Sequence, residues 1–190
     1  MPGDQEPTVL VVDDEEKLAN MFTLWLRGDY DVRTVYEGEA FLATVDEDVD
    51  VVLLDRRMPG YSGDDVLEML ERREADPAVV VVTAIDPELD VLEMPFDDYL
   101  VKPVQHQELV DAIELQVRAR EYDAALQRFL RLETKRRVLL AEHRETALSG
   151  RSEWESLVEE HDELKDRLQR TVDDFDSVLE AYRSSRRGQT

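Results

Sequence analysis

The 190-residue chain contains no cysteine, which excludes disulfide bonds and zinc sites built from thiolates. It also lacks any run of 18 apolar residues, and its short acidic N-terminus has no apolar segment of the kind found in signal peptides. Lysine is scarce, with only 4 among the 23 basic residues. The absences of cysteine and of long apolar runs favour a cytoplasmic protein without a membrane-embedded part.

Acidic residues outnumber basic ones by 46 to 23, so the net charge at neutral pH is −23. The excess is uneven, because residues 1–104 carry 27 acidic and 8 basic groups, whereas residues 105–190 carry 19 and 15. Such self-repulsion would destabilise the folded state in dilute buffer, but at about 1 M salt the Debye length is only about 3 Å. Together with the scarcity of lysine, this predicts a salt-adapted protein from an extremely halophilic source, with an ordinary acidic protein as the alternative.

Short β-branched runs alternate with helical patterns in the first two thirds of the chain. We predict strands near 8–12, 31–35, 50–54, 78–82 and 98–101, and helices near 15–27, 37–46, 63–75, 87–93 and from 105 onward. This alternation predicts an α/β fold with a five-stranded, parallel, doubly wound sheet. Pro87 and Pro95 bracket the fourth helix, which should therefore hold only about two turns.

Polar side chains stand at the carboxyl ends of four predicted strands. They are Asp13 and Asp14, Asp55, Thr83, and Lys102. The carboxyl ends of strands in an open α/β sheet border one crevice, so these side chains should converge. Three carboxylates repel one another unless they share a cation, and oxygen ligands favour Mg²⁺, with Mn²⁺ as the alternative, over Zn²⁺. Asp55 would then be a nucleophile for phosphoryl transfer, with the cation and Lys102 neutralising charge and Thr83 donating a hydrogen bond.

Four motifs at characteristic spacings resemble the receiver domain of two-component response regulators. They are Val11-Val12-Asp13-Asp14-Glu15, Leu53-Leu54-Asp55-Arg56-Arg57-Met58-Pro59-Gly60 with Ser62-Gly63 behind it, Val82-Thr83-Ala84 and Asp97-Asp98-Tyr99-Leu100-Val101-Lys102-Pro103. The resemblance implies a flavodoxin-like or CheY-like fold with strand order 2-1-3-4-5, and a histidine kinase that phosphorylates Asp55. It implies that Mg²⁺ is held by Asp13, Asp14, Asp55 and the backbone carbonyl of Arg57. The phosphoryl group would be bound by Thr83 and Lys102.

The same resemblance assigns roles to residues around the phosphoacceptor. Tyr99 matches the aromatic switch residue that rotates inward on activation, and Pro103 matches a proline that follows a cis peptide bond. The family tunes dephosphorylation with positions matched by Arg57 and Ile85, neither of which is an obvious base for positioning water. We therefore expect a phosphoacceptor rather than an enzyme, with at most slow autophosphatase activity. A phosphatase with an aspartyl intermediate is a remote alternative. Such enzymes carry a second aspartate two residues from the nucleophile, whereas here Asp55 is followed by Arg56 and Arg57.

The last third of the chain has no strand pattern, and residues 104–149 contain no glycine. Apolar residues at helical spacing predict that the fifth receiver helix either runs on or steps into a second long helix ending near Arg144. A break then precedes a last helix, which should start with a capping box between Ser152 and Glu155 and run to about Ser184.

The last predicted helix carries a heptad pattern typical of a coiled-coil seam. One seam position is filled by Trp154, His161, Leu168, Phe175 and Tyr182, and the other by Leu157, Leu164, Thr171 and Val178. The seam needs a partner, which is either the preceding helix in an antiparallel hairpin or a second subunit; the short turn favours the hairpin, and a homodimer stays open. Many receivers dimerise through the face of the fourth helix, fifth strand and fifth helix, and the short fourth helix argues against that mode. His161 is interpreted as a packed imidazole.

The tail resembles the HalX domain that follows receivers in halophilic archaea. We assign residues 1–120 to the receiver domain and residues 121–190 to a HalX-like output module that binds an unknown downstream protein. The alternative is a transcriptional regulator whose module binds DNA, because residues 118–137 contain seven basic and three acidic residues. DNA is not favoured, since high salt weakens phosphate contacts and no known DNA-binding motif is evident.

Overall fold

The computed structural model describes residues 6–73, 75–120, 122, 124–172 and 175–184. Five strands and the helices around them come first, and four further helical segments complete the described chain. The elements are β1 Thr8–Val12, α1 Glu16–Leu26, β2 Asp31–Val35, α2 Gly38–Thr44, β3 Val51–Leu54, α3 Gly63–Glu71, β4 Ala78–Thr83, a 3₁₀ turn Leu89–Leu92, β5 Asp98–Val101, α4 His106–Ala119, α5 Ala124–Glu142, α6 Glu145–Leu148, α7 Ser152–Thr171 and α8 Phe175–Ser184.

The five strands form one parallel sheet in the order β2-β1-β3-β4-β5, which confirms the predicted doubly wound architecture. The central strands β1, β3 and β4 are buried along their whole length, as their β-branched and apolar composition requires for a sheet covered on both faces. The register pairs Val12 with Leu54 and Leu54 with Val81. The carboxyl ends of these three strands are therefore level, and the residues that follow them share one edge of the sheet.

Helices cover both faces of the sheet. On one face α1 and α4 pack through residues such as Phe22 and Ile113, both almost completely buried. On the other face α2 and α3 cover only part of the sheet, through residues such as Phe41 and Leu67. The remainder of that second face is covered by the C-terminal helices, whose Leu139 belongs to the same apolar cluster.

The predicted fourth helix is absent as such, and its place in the chain holds a 3₁₀ turn of four residues. The two prolines that bracket it leave too few residues for an α-helix of two turns. The predicted short segment is therefore present, but it is a single 3₁₀ turn rather than two α-helical turns. The missing surface is supplied by α5 and α7, which both contact the 3₁₀ turn, and α5 also contacts β5. Trp154 and Leu157 of α7 are buried in one cluster with Val91 of the turn.

The C-terminal helices form the expected antiparallel hairpin between α5 and α7. Phe129 near the start of α5 clusters with Leu168 near the end of α7, whereas Leu139 near the end of α5 clusters with Trp154 at the start of α7. All five residues of the first predicted seam position are buried. At the second position burial is weaker, and Thr171 is exposed.

Two details of the tail differ from the prediction. The last helix is not continuous to Ser184, because α7 ends at Thr171 and α8 begins at Phe175. The capping box of Ser152 with Glu155 is also absent, since Arg151 occupies the cap position and the Ser152 hydroxyl donates to the carboxylate of Glu153. A heptad pattern reports which face is buried, and that face is preserved although the helix is broken.

Candidate functional site

The candidate site lies where the carboxyl ends of β1, β3, β4 and β5 meet. The side chains there are Asp13 and Asp14 after β1, Asp55 after β3, Thr83 at the end of β4, and Lys102 after β5. Asp13, Asp55 and Thr83 are buried, and Asp14 is exposed. One carboxylate oxygen from each of the three aspartates lies within 4.8 Å of the others. The convergence predicted from strand ends is therefore present in the fold.

Lys102 bridges two of these carboxylates. Its ammonium lies 2.7 Å from Asp13 Oδ2 and 3.2 Å from Asp55 Oδ2, and only 16% of its side chain is exposed. Burial favours loss of the lysine proton, but Asp13 and Asp55 outweigh this, so the pKa of Lys102 lies above its usual value. Burial likewise raises the pKa of Asp13, although Lys102 opposes that rise. The peptide bond between Lys102 and Pro103 is cis, as the resemblance implies.

The donor set fits a hard divalent cation. Asp55 Oδ1 is buried and has no hydrogen-bond partner among the described residues. Three carboxylates share one ammonium, which leaves negative charge uncompensated at a site made only of oxygen donors. Such sites suit Mg²⁺, which binds through one or two carboxylates and keeps several waters.

Thr83 and Tyr99 both contact the backbone of Ile85, two residues beyond the end of β4. Thr83 is fully buried, and its hydroxyl accepts a hydrogen bond of 3.4 Å from the backbone N–H of Ile85. The Tyr99 hydroxyl donates to the carbonyl of Ile85 at 2.8 Å, and its ring lies 5.6 Å from that of Phe96. Tyr99 is thus already in the inward position, where only 2% of it is exposed.

The hairpin covers the outer side of Tyr99. A groove of about 250 Å³ between α4 and α5 is lined by Tyr99 and Val101 on the sheet side and by Arg137 and Val138 on the hairpin side. An outward rotation of Tyr99 would enter this groove, so the hairpin limits the space available to its side chain.

Sequence reasoning missed Arg56, which follows the expected phosphoacceptor directly. Its side chain is only 6% exposed and contacts Asp64 and Asp90. Burial favours the neutral guanidine, but the hydrogen bonds that Arg56 donates to both aspartates outweigh it, so the pKa of Arg56 is raised above its usual value. A buried arginine leaves no periodic signal in a sequence, and its partners lie 8 and 34 residues away.

Gly63 is a second residue whose role emerges only in the fold. It lies so close to the phosphoacceptor loop that a Cβ atom there would stand 2.4 Å from the carbonyl oxygen of Asp55 and 2.6 Å from Cα of Arg56. Its N–H also donates to the carbonyl of Arg56 at 2.9 Å. Only glycine allows the start of α3 to approach the loop this closely.

Arg57, whose backbone carbonyl is a predicted metal ligand, has an exposed side chain.

The basic stretch 118–137 is mostly engaged within the chain. Six of its seven basic side chains have described partners. Arg118 pairs with Glu114, Arg120 with the carbonyls of Asp50 and Asp76, Arg128 with Glu160, Arg131 with Asp97, Lys135 with the carbonyl of Leu92, and Arg137 with Asp98. The positive charge seen in the sequence is therefore largely paired with groups of the same chain.

Family models match the two parts of the chain. The model of the response regulator receiver domain matches residues 9–114, and that of the HalX domain matches residues 118–185. The chain belongs to the response regulator receiver family. A HalX domain follows the receiver, which confirms the resemblance stated for the tail.

Relatives and solved structures agree with this assignment. A Haloferax volcanii protein that carries the provisional name transcriptional regulator is 39% identical over 87% of this chain, which spans 31% of that protein. The sensory transduction protein RegX3 of Mycobacterium tuberculosis is 41% identical over 58% of this chain and 51% of its own length. The crystal structure of the response regulator TrrA of Thermotoga maritima, in complex with Mg²⁺ and beryllium fluoride, covers 58% of this chain and 98% of its own, with 27% identity and a TM-score of 0.51.

The chain therefore spans only about a third to a half of the length of the curated relatives that it matches. Among the residues that the structure describes, no helix combines the length and apolar character needed to cross a bilayer.

Proposed function

We propose that this protein is the phosphoacceptor of a two-component phosphorelay. The observation that carries the proposal is the group of three carboxylates, Asp13, Asp14 and Asp55, beside the Lys102 ammonium at the carboxyl edge of the sheet. A carboxylate oxygen of Asp55 attacks the phosphorus of a phosphohistidine on a partner kinase. The O–P bond forms as the P–N bond breaks, and the imidazole leaves.

The remaining side chains have supporting roles in this proposal. Asp13, Asp14, Asp55 and the backbone carbonyl of Arg57 would hold Mg²⁺ or Mn²⁺, which supplies charge neutralisation for the transferring phosphoryl group. Lys102 already lies between two carboxylates, so a new anion on Asp55 can recruit its ammonium without a large movement. Thr83 accepts from Ile85 N–H, so its hydroxyl hydrogen stays available to donate to a phosphoryl oxygen.

The proposed role is stoichiometric rather than catalytic. Water must be positioned to hydrolyse an acyl phosphate, and the side chains at the tuning positions are those of Arg57, which is exposed, and Ile85, which is half-buried. Neither offers a general base. We therefore propose slow autodephosphorylation, with a phosphoryl group that lasts minutes or longer.

We propose protein binding rather than DNA binding as the output. The chain would act through residues 1–120 as receiver and residues 121–190 as output module, with Tyr99 as the switch residue beneath the hairpin. The internal partners of the basic residues in 118–137 leave few of these cations to contact phosphates. Binding to duplex DNA in molar KCl that depends on Arg136 would instead favour the transcriptional alternative.

Phosphorylation is tested by mass spectrometry of the intact protein. The full chain is incubated with acetyl phosphate and Mg²⁺ in concentrated KCl, and we expect one phosphoryl group per chain. Asp55→Asn should abolish the added mass because the nucleophilic carboxylate is lost. Asp48→Asn, the same change at an exposed position, is the matched control and should retain it. Equal labelling of the two variants would contradict the proposal.

A further inference from the structure

Arg56 connects the phosphoacceptor loop to the 3₁₀ turn Leu89–Leu92. Its Nε and Nη2 bind the Asp64 carboxylate of α3 at 3.1 and 3.0 Å, and Nη2 also donates to Asp90 of the turn at 2.6 Å. Bidentate contacts of this type fix the direction of the guanidinium as well as its distance. Arg56 is covalently adjacent to Asp55, so a displacement of the loop on phosphorylation moves the anchor of the turn.

Lys135 of the hairpin holds the same turn from its other side. Its ammonium donates to the carbonyl of Leu92 at 2.8 Å and lies 5.4 Å from the centre of the Phe96 ring. Lys135 is 7% exposed, so these contacts are shielded from salt in a way that surface ion pairs are not. The turn is thus held between one cation from the phosphoacceptor loop and one from α5.

The turn is short, and its Val91 is fully buried in the apolar cluster that also contains Trp154 and Leu157. It has the single-turn length of a 3₁₀ helix and no side-chain cap, and it stands where the sequence predicts a helix of only about two turns. A short segment whose polar links to the phosphoacceptor loop and to α5 are made by these two cations can shift when one of them moves.

We propose that Arg56 is a positioning residue that links Asp55 to the 3₁₀ turn, and that Lys135 links the turn to the hairpin, so that phosphorylation reaches the output module through this turn. The inference rests on the proposed function. It adds a route that does not require rotation of Tyr99, whose ring is already buried.

Two aspartates offer a matched test of this route. Asp64 and Asp90 bind the same guanidinium, and their side chains are exposed to nearly the same extent, 54% and 52%. Only Asp90 belongs to the turn, whereas Asp64 lies in the first turn of α3. Asp90→Asn and Asp64→Asn therefore make the same chemical change to the same arginine, and only the first weakens the link to the hairpin.

Trp154 reports the state of the hairpin. The chain has two tryptophans, and Trp154 is buried in the cluster that contains Val91 of the turn. In a Trp25→Phe background its fluorescence can be followed when acetyl phosphate and Mg²⁺ are added in concentrated KCl. Mass spectrometry of the intact chain measures phosphorylation in the same samples.

We expect the parent chain and Asp64→Asn to gain phosphoryl mass and to change their Trp154 fluorescence. Asp90→Asn should gain the same mass but show a fluorescence change that is about fivefold smaller. Lys135→Met should lose the change as well, and adding Asp90→Asn to Lys135→Met should have no further effect, because the two act in series.

Equal fluorescence changes in Asp90→Asn and Asp64→Asn, with both phosphorylated, would overturn the inference and leave the proposed function intact. A parent chain that gains mass with no change at Trp154 would do the same. A parent chain that gains no mass would instead refute the proposed function, and the inference would fall with it.

Discussion

The receiver and the hairpin place their charges in opposite ways. In the receiver, the sheet core is apolar, and the buried carboxylates of Asp13 and Asp55 are gathered at one edge. In the hairpin, charged and polar groups lie in the helix interface itself, where the buried Glu133 contacts His161 at 2.8 Å and Arg183 at 2.7 Å. His161 also stacks on Phe129, with ring centres 4.9 Å apart, which confirms its interpretation as a packed imidazole.

This difference suggests what each half needs from the other. The hairpin presents Arg131 and Arg137 to Asp97 and Asp98 of the acidic receiver, and its apolar residues complete a core that α2 and α3 leave open. A buried ionic network is weak support for stability but can specify one arrangement of helices over others. We infer that the apolar contacts hold the hairpin to the sheet, and that the charged contacts select its position.

The largest expected effect comes from removing an apolar contact between the two halves. Trp154→Ala should lower the free energy of unfolding by about 3–5 kcal/mol, the usual cost of truncating a buried aromatic residue. Chemical denaturation in concentrated KCl should show a single transition shifted to lower denaturant. Leu24→Ala, at a side chain that is 67% exposed, is the control and should cost less than about 0.5 kcal/mol. Loss of only the helical signal, with the sheet unaffected, would mean that the halves unfold separately.

The next effect concerns the buried network. Glu133→Gln removes the negative partner of His161 and Arg183, and breaking a buried pair usually costs about 3–5 kcal/mol. Because 47% of the Arg183 side chain is exposed and can be rehydrated, we expect about 2–3 kcal/mol here, measured by the same denaturation. An unchanged midpoint would show that the network contributes nothing to the stability of the hairpin.

The pH dependence of stability should carry the signature of Glu133. Burial alone would raise the pKa of this carboxyl, but hydrogen bonds from His161 and Arg183 lower it from 4.5 to about 2. A carboxyl whose pKa is depressed in the folded state stabilises the protein above its unfolded pKa, and that contribution is lost as the pH falls from 4.5 towards 2. Between pH 4.5 and 2, the melting temperature should fall less steeply with decreasing pH in Glu133→Gln than in the parent chain. Parallel curves of melting temperature against pH would contradict the assignment.

The smallest effect should come from a charge pair on the outside of the hairpin. Arg128 and Glu160 lie 2.7 Å apart, but both side chains are nearly half exposed. Glu160→Gln should change the free energy of unfolding by about 0–1 kcal/mol, as is usual for surface pairs. A loss as large as that of Glu133→Gln would remove the distinction between buried and exposed charges on which the comparison depends.

The fold of the receiver could be predicted closely because its signals are local. Runs such as Val79 to Val82 identify a buried strand, and the polar residue after each run identifies the functional edge. Asp13, Asp55, Thr83 and Lys102 were found in this way, and the structure brings them to the same edge. Their proposed roles still await experiment.

The features that sequence reasoning missed depend on contacts distant in the chain. Nothing in the pattern around Arg56 indicates that Asp90 would bind it, and the break between α7 and α8 leaves the heptad pattern undisturbed. The internal pairing of the basic residues in 118–137 was missed because helical periodicity does not reveal which cations meet acceptors elsewhere in the chain. Lys135, for example, reaches the carbonyl of Leu92, 43 residues earlier.

The common core of the two halves constrains how such proteins can be recombined. A hairpin whose Leu139 and Trp154 complete the covering of the sheet cannot be exchanged freely among receivers. A chimera would need a recipient with a similarly shortened fourth segment and with acids at the positions of Asp97 and Asp98. A receiver and a hairpin joined in this manner should diversify as pairs, so that a change on one side favours a compensating change on the other.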